Sequence, residues 1–176
     1  TTIAVVPEKL YYIGELPTER RPTVAIVGTR KPTTYGKEVS QQLATDLARR
    51  GVVIVSGMAL GVDAIAHRAA LDAGGTTIAV LGNGLPELTP STNRELGERI
   101  IANGGAIISE YEPHTPAYPA HFLERNRIVS GLSDAILITE AAARSGTLNT
   151  ASHALEQGRE VFVVPGNITS PLSAGC

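Results

Sequence analysis

Six short runs of aliphatic and β-branched residues recur along the chain, at Thr23–Val27, 52–55, 76–81, 106–108, Ala135–Ile138 and 161–164. Each is almost wholly apolar rather than alternating, which is the signature of strands covered on both faces, as in a parallel sheet between two layers of helices. The segments between them follow a helical period. Val39, Leu43 and Leu47 share one face while Glu38, Gln42, Asp46 and Arg49 lie off it. Thr33 or Thr34 is placed to cap that helix and Gly51 to end it. Further helices are expected near 62–73, 91–102, 120–131 and 147–157, with Gly74, Gly104 and Gly158 as stops after three of them. Six strands alternating with five helices predict an α/β, doubly wound, mostly parallel sheet flanked by helices, with right-handed crossovers and a ligand at the carboxyl ends of the strands. Residues 1–22 fall outside this repeat and read as a lead-in that is either an edge strand or a linker, leaving 23–176 as the core domain.

That pattern directs attention to the residues after each strand. They are Gly28-Thr29-Arg30-Lys31, Ser56-Gly57 with Met58 to Gly61, Gly82-Asn83-Gly84, Ser109-Glu110, Glu140 leading to Ser145-Gly146-Thr147, and Pro165-Gly166. Glycine lets backbone amides approach a ligand, and the amides at a helix N-terminus favour anions. One such turn is ordinary turn chemistry; five of six carrying glycine, with Arg30 and Lys31 beside the first, point to a phosphate ligand at this rim. The densest polar block is Arg125-Asn126-Arg127. Residues two apart on a helix point about 200° apart, so one arginine is expected to reach outward while the other anchors inside. Phe122, one turn before Asn126, is either core or a flat platform for a base, and Tyr118 is a second flat surface nearby.

Other chemistries find less support. There is no GxxxxGK[ST] phosphate loop, and Gly82-Asn83-Gly84 lacks the third glycine of a dinucleotide loop. His67, His114, His121 and His153 are scattered, so neither a metal nor any other cofactor is expected. Asp63 and His67, four apart, read as a structural hydrogen-bonded pair. Glu110 and Glu140 are acid or base candidates because both follow buried strands.

Composition changes the picture in three places. The 176 residues, 43% hydrophobic and 18% charged, suffice for one core, and no apolar run approaches the roughly 20 residues of a membrane span. The single Cys176 allows no internal disulfide, and with no leader visible at Thr1 the default compartment is the cytoplasm, the chain reading as an excised segment. The net charge of −2 argues against a general basic field, yet residues 1–50 carry eight Lys and Arg against five Asp and Glu, and residues 51–176 carry seven against twelve. Twelve of the fifteen basic residues are arginine, which suits planar contacts with phosphate and stacking.

Several blocks together resemble the DprA/Smf family of DNA-processing proteins. These are Val27 to Arg30, Ser56 to Asp63 with Ala66-His67, Glu124 to Ser133, Glu140-Ala141, Ser145 to Ala151, Gly158-Arg159 and Val164-Pro165-Gly166, in family order over about residues 23–176. The resemblance implies an extended Rossmann-like domain that binds single-stranded DNA, dimerises and loads the RecA recombinase during natural transformation, as a mediator rather than an enzyme. It carries the DNA pocket onto Gly28, Thr29, Arg30 and Lys31, onto Ser56 and Gly57, onto Gly82, Asn83, Gly84 and Asn93, onto Phe122, Arg125, Asn126 and Arg127, and onto Ser145, Gly146 and Thr147. Where the family shows an acidic residue and Tyr-Pro before its Asn, this chain has Thr89-Pro90 before Asn93. Flanking helical and winged-helix modules of the family are not visible, so a core domain is expected.

Two other readings stay open. LOG-type phosphoribohydrolases, which release a base from a nucleoside monophosphate, share an arginine before a Ser-Asp strand and a Gly-Thr turn, as in Arg125, Ser133-Asp134 and Gly146-Thr147. Their glutamates are replaced here by Asn149 and Thr150, leaving Glu140 as the catalytic candidate. A nucleotide-binding sensor would need a closed, nucleotide-sized pocket rather than an open groove.

Overall fold

The structure is a computed structural model that describes residues 5–167 and 169–176. Residues 1–4 of the lead-in, and Ile168, lie outside the described residues. The chain runs β1 (Tyr11–Gly14), β2 (Thr23–Val27), α1 (Thr34–Arg49), β3 (Val53–Ser56), α2 (Val62–Asp72), β4 (Thr77–Val80), α3 (Arg94–Ala102), β5 (Ala106–Ser109), α4 (Pro119–Gly131), β6 (Ala135–Ile138), α5 (Gly146–Glu156) and β7 (Glu160–Val163). The seven strands form one sheet in the order β1-β5-β4-β3-β2-β6-β7. All neighbours are parallel except β1, which runs antiparallel to β5 with Tyr11 opposite Ser109 and Gly14 opposite Ala106. The sheet is therefore doubly wound α/β, as its apolar runs imply.

Packing explains why the strands lack polar alternation. Ile26 and Ile54 face α1 and α2 through Ala44, Ala48, Val62, Ala66 and Ala70, while Ala25, Val27, Val55 and Ile136 face α4 and α5 through Ile128, Val129 and Ala154. A third cluster of Met58, Leu81, Leu96, Ile100 and Ile107 seats α3 over β4 and β5. The small residues of α1 and α2 let those helices lie close to the sheet and to each other. Thr33 caps α1, its hydroxyl accepting from the Gly36 amide at 3.1 Å, and Gly51 ends it at φ 81°.

Two elements depart from expectation. β7 is not covered on both faces: among the described residues it pairs only with β6, and Phe162 is 57% exposed, so its apolar run marks an outer edge. The segment expected to be helical from residue 91 opens as a 3-10 turn, Ser91–Asn93, before α3 begins at Arg94.

Candidate functional site

β2 lies at the centre, with β3 on one side and β6 on the other. After β2 the chain leaves towards α1 on one face of the sheet, and after β6 it leaves towards α5 on the opposite face, which opens a crevice at the carboxyl ends of the two strands. The pairing of Val27 with Ile138 is continued by Thr29 N–H donating to Glu140 O at 2.8 Å, fixing the first loop against the last. Between them is a cavity of about 550 Å³. Gly28, Thr29 and Arg30 line it from β2, Gly57 and Ala59 from β3, Pro119, Phe122, Leu123, Arg125, Asn126 and Val129 from α4, and Ser145, Gly146, Thr147 and Thr150 from α5.

Its floor is a buried charge pair. Arg125, 4% exposed, donates through Nη1 to Gly57 O at 2.7 Å and also to Val80 O, tying α4 to the ends of β3 and β4. Asp63, 8% exposed, accepts from the Ala59 amide at 3.3 Å. Burial pushes the Asp63 pKa up, and the Arg125 charge pulls it back; burial lowers Arg125, and Asp63 opposes that. Gly57 separates the two: a Cβ there would sit 2.7 Å from Arg125 Nη2 and 2.7 Å from Asp63 Oδ2. Gly28 is equally confined, since a Cβ would lie 2.6 Å from Val62 Cγ2 and 3.0 Å from Glu140 O. These two glycines are required by space, so the loops stay low and the cavity stays open.

The walls supply donors and one flat surface. Arg30 is exposed, with its guanidinium carbon 6.0 Å from the centroid of the Phe122 ring; that of Arg125 is 5.9 Å away. Ser145 occupies the N-cap of α5 in extended conformation (φ −127°, ψ 154°), yet its hydroxyl makes no capping bond and is buried without a partner. The first amides of α5 therefore have no side-chain cap, and the positive end of its dipole adjoins the cavity. Asn126 Nδ2 donates to Asn149 Oδ1 at 3.1 Å and to Gly146 O at 3.3 Å, holding α4 against the start of α5. Among the described residues, the cavity's one lining carboxylate is Asp63.

Other candidate residues lie elsewhere. Ser56 is buried and donates to Ile26 O at 2.7 Å. Asn83 is buried and spends its Nδ2 on Gly84 O at 2.9 Å and Glu87 O at 2.7 Å, while Gly84 lies under residues 112–115, so the Gly82-Asn83-Gly84 loop is filled by its own chain. Gly82 touches the site indirectly: a Cβ there would lie 3.0 Å from the Phe122 ring. Asn93 donates to Met58 O at 2.9 Å. Arg127 grips Glu110 with both guanidinium nitrogens, at 2.7 and 2.6 Å, and the two side chains are only 13% and 15% exposed. Of the two arginines, Arg125 anchors inside as expected, while the expectation that the other reaches outward is corrected: Arg127 is committed to the partly buried Glu110. Lys31 is exposed just beyond the cavity lining.

The acid candidates are also committed. Glu140, 4% exposed, accepts from Thr33 N at 2.8 Å and Thr33 Oγ1 at 2.7 Å, acting as a bracket for the start of α1. Asp63 and His67 do not bond to each other. The Thr77 hydroxyl gives its proton to Ile54 O at 2.8 Å and so accepts from His67 Nδ1–H at 2.6 Å, leaving His67 Nε2 buried without a partner. Burial lowers the His67 pKa to about 3.

Pro119, Leu123, Val129 and Thr150 are cavity residues that motif reading passes over. Helical spacing contains the signal: Pro119, Phe122, Leu123, Asn126 and Val129 fall on one face of α4, and Thr150 follows Thr147 by one turn.

Together these features make a doubly wound α/β protein whose rim cavity presents backbone amides, an exposed arginine and an aromatic ring, groups that suit an anionic ligand with a flat part. The family described as DNA recombination-mediator protein A matches residues 1–176, and the chain belongs to that family. It is 46% identical over 169 residues to Protein Smf of Escherichia coli, covering 96% of this chain and 45% of the relative. The X-ray structure of DNA processing protein A from Streptococcus pneumoniae superposes with a TM-score of 0.87 at 42% identity, over 95% of this chain and 58% of that one. A structure of DNA processing protein A from Helicobacter pylori, described for its single-stranded DNA binding mode, gives a TM-score of 0.86 at 38% identity, over 96% and 77%. The chain spans about half the length of the curated relatives it matches. Among the described residues no helix is long and apolar enough to cross a membrane.

Proposed function

We propose that the cavity between the ends of β2, β3 and β6 binds single-stranded DNA, and that the chain acts as a recombination mediator rather than an enzyme. In this reading it works in the cytoplasm as a homodimer, protecting incoming strands and delivering them to the RecA recombinase in natural transformation. The observation that carries the binding reading is the pairing, in one open cavity, of exposed Arg30 and the uncapped α5 N-terminus with the Phe122 ring. Phosphates suit the first two and a base face the third, and a duplex, whose bases are stacked inward, cannot offer both at once. The Helicobacter pylori relative is described as binding the same class of ligand. Against the hydrolase alternative stand Glu140 and Glu110, whose carboxylates are bonded to Thr33 and Arg127.

Fluorescence anisotropy with labelled single strands and duplexes of equal length, across a salt series, tests this reading. Preference for single strands, with loss of binding in Arg30→Ala, is expected. Equal binding of both forms, or an unaffected Arg30→Ala, would sink it. Release of free base from nucleoside monophosphates would instead favour the hydrolase, and mixing the bound strand with RecA tests the loading step.

A further inference from the structure

The cavity holds one aromatic ring, but the first turns of α4 carry more. Tyr118, the N-cap residue of α4, directly precedes Pro119, which lines the cavity. It is 52% exposed, so a face of its ring is open to a ligand. Behind it, the His121 ring meets Tyr118 edgewise, with centroids 5.1 Å apart at 82°, and stacks on Tyr111 at 3.9 Å and 13°. This group is pinned rather than loose. His121 Nδ1 donates to Gly82 O at 3.2 Å, and Tyr111 OH donates to Glu124 Oε2 at 2.9 Å. Gly82 thus braces both Phe122, by contact, and His121, by hydrogen bond.

We propose that this ledge, Tyr118 with His121 and Tyr111 behind it, receives the base of the nucleotide adjacent to the one held against Phe122. The inference rests on the reading of the cavity as a single-stranded DNA site and adds to it a second stacking position and a direction. Charge decides which part of the nucleotide faces the ledge. The charged groups beside it are Glu124, bonded to Tyr111, and Glu110, whose charge Arg127 already matches, so Glu124 disfavours a phosphate there while a base face is not repelled. The phosphate donors are instead Arg30 and the start of α5, both of which line the cavity. The strand therefore runs with its backbone along Arg30 and Ser145 and its bases turned towards α4. Continuity with the cavity through Pro119, and rings fixed before the ligand arrives, favour this occupant.

Tyr118→Trp supplies the test, because the chain has no tryptophan of its own. The indole emission of this variant is expected to be quenched by a short oligothymidylate and unchanged by thymidine monophosphate, which fills only the cavity. Tyr118→Ala is expected to weaken oligothymidylate binding by roughly tenfold, and Tyr118→Phe to restore it. The ledge alone is overturned if Arg30→Ala and Phe122→Ala weaken oligothymidylate binding while Tyr118→Ala binds as tightly as wild type and the indole emission of Tyr118→Trp is unmoved at saturation. Failure of the wild type to bind the oligothymidylate overturns the cavity reading and the ledge with it.

Discussion

The two halves of the sheet's carboxyl edge carry the same sequence signal and end in opposite states. Around β2, β3 and β6 the loops begin with Gly28, Gly57 and Ser145-Gly146, and the space above them is left empty. Above β4 and β5 the loop is Gly82-Asn83-Gly84, and the space is filled: Asn83 bonds the backbone of Gly84 and Glu87, Ser109 Oγ donates to Asn83 O at 2.6 Å, and residues 112–115 close over Gly84. The difference lies in what surrounds the glycines. A buried amide side chain folds the second loop on itself, whereas the first set is held by the buried Arg125, which donates to Gly57 O and Val80 O, and adjoins a helix start with no side-chain cap. Glycine at a strand end marks backbone that must come close to something, and only the neighbours say whether that something is the protein itself or a ligand.

The open half should collapse most completely when its prop is removed. Arg125→Ala leaves Gly57 O and Val80 O without their donor and Asp63 buried without a counter-charge, so a loss of about 3–5 kcal/mol is expected in urea unfolding, together with loss of DNA binding. Arg127→Ala, two residues on, removes only the grip on Glu110. It should cost about 1.5–3 kcal/mol and leave the salt dependence of DNA binding unchanged, because its guanidinium is already spent.

His67 gives the closed interior a pH signature. Its folded pKa of about 3 lies below the unfolded value, so the unfolded chain takes the proton first. Stability from this group is whole above about pH 6.5 and falls as pH drops, by about 2 kcal/mol at pH 5. Asp63, raised by burial, acts in the opposite sense above the ordinary carboxylate range. Denaturation midpoints of wild type and His67→Asn across this window separate the two, and the variant should show the flatter profile.

A pair of glycine changes isolates the contrast itself. In Gly84→Ala the new Cβ would meet the backbone of Glu112, Thr115 and His114, and in Gly57→Ala it would meet Arg125 and Asp63. Both should lose about 1–3 kcal/mol. Only Gly57→Ala should also weaken DNA binding per folded molecule in an anisotropy titration. The smallest effect on stability belongs to Arg30→Ala, within about 0.5 kcal/mol, yet it should reduce the slope of log affinity against log salt by roughly 0.7–1.

The layered sheet was legible because strands buried on both faces must be apolar throughout, whereas the helix faces were less so: α1 turns the small residues Gly36, Ser40, Ala44 and Ala48 to the core, with Val39, Leu43 and Leu47 only half-buried beside them. Arg30, Phe122, Asn126 and the Ser145 turn were legible from their places after strands or on one helix face. Arg127, Asn83 and Asn93 were not, because they share composition and motif with the cavity residues and differ only in partners distant in sequence, such as Glu110 and Met58. The β7 run misled because an apolar run reports that the faces of a strand are to be covered, whereas Phe162 and Val163 remain exposed.

The contrast between the halves can be read at once from backbone amide chemical shifts during titration with an oligothymidylate. Gly28 to Arg30, Gly57 and Ser145 to Thr147 are expected to shift as the strand binds, while Asn83 to Leu88 stay in place. Shifts confined to residues 83–88, with the loops after β2 and β6 unmoved, would contradict the assignment of the open half as the DNA site.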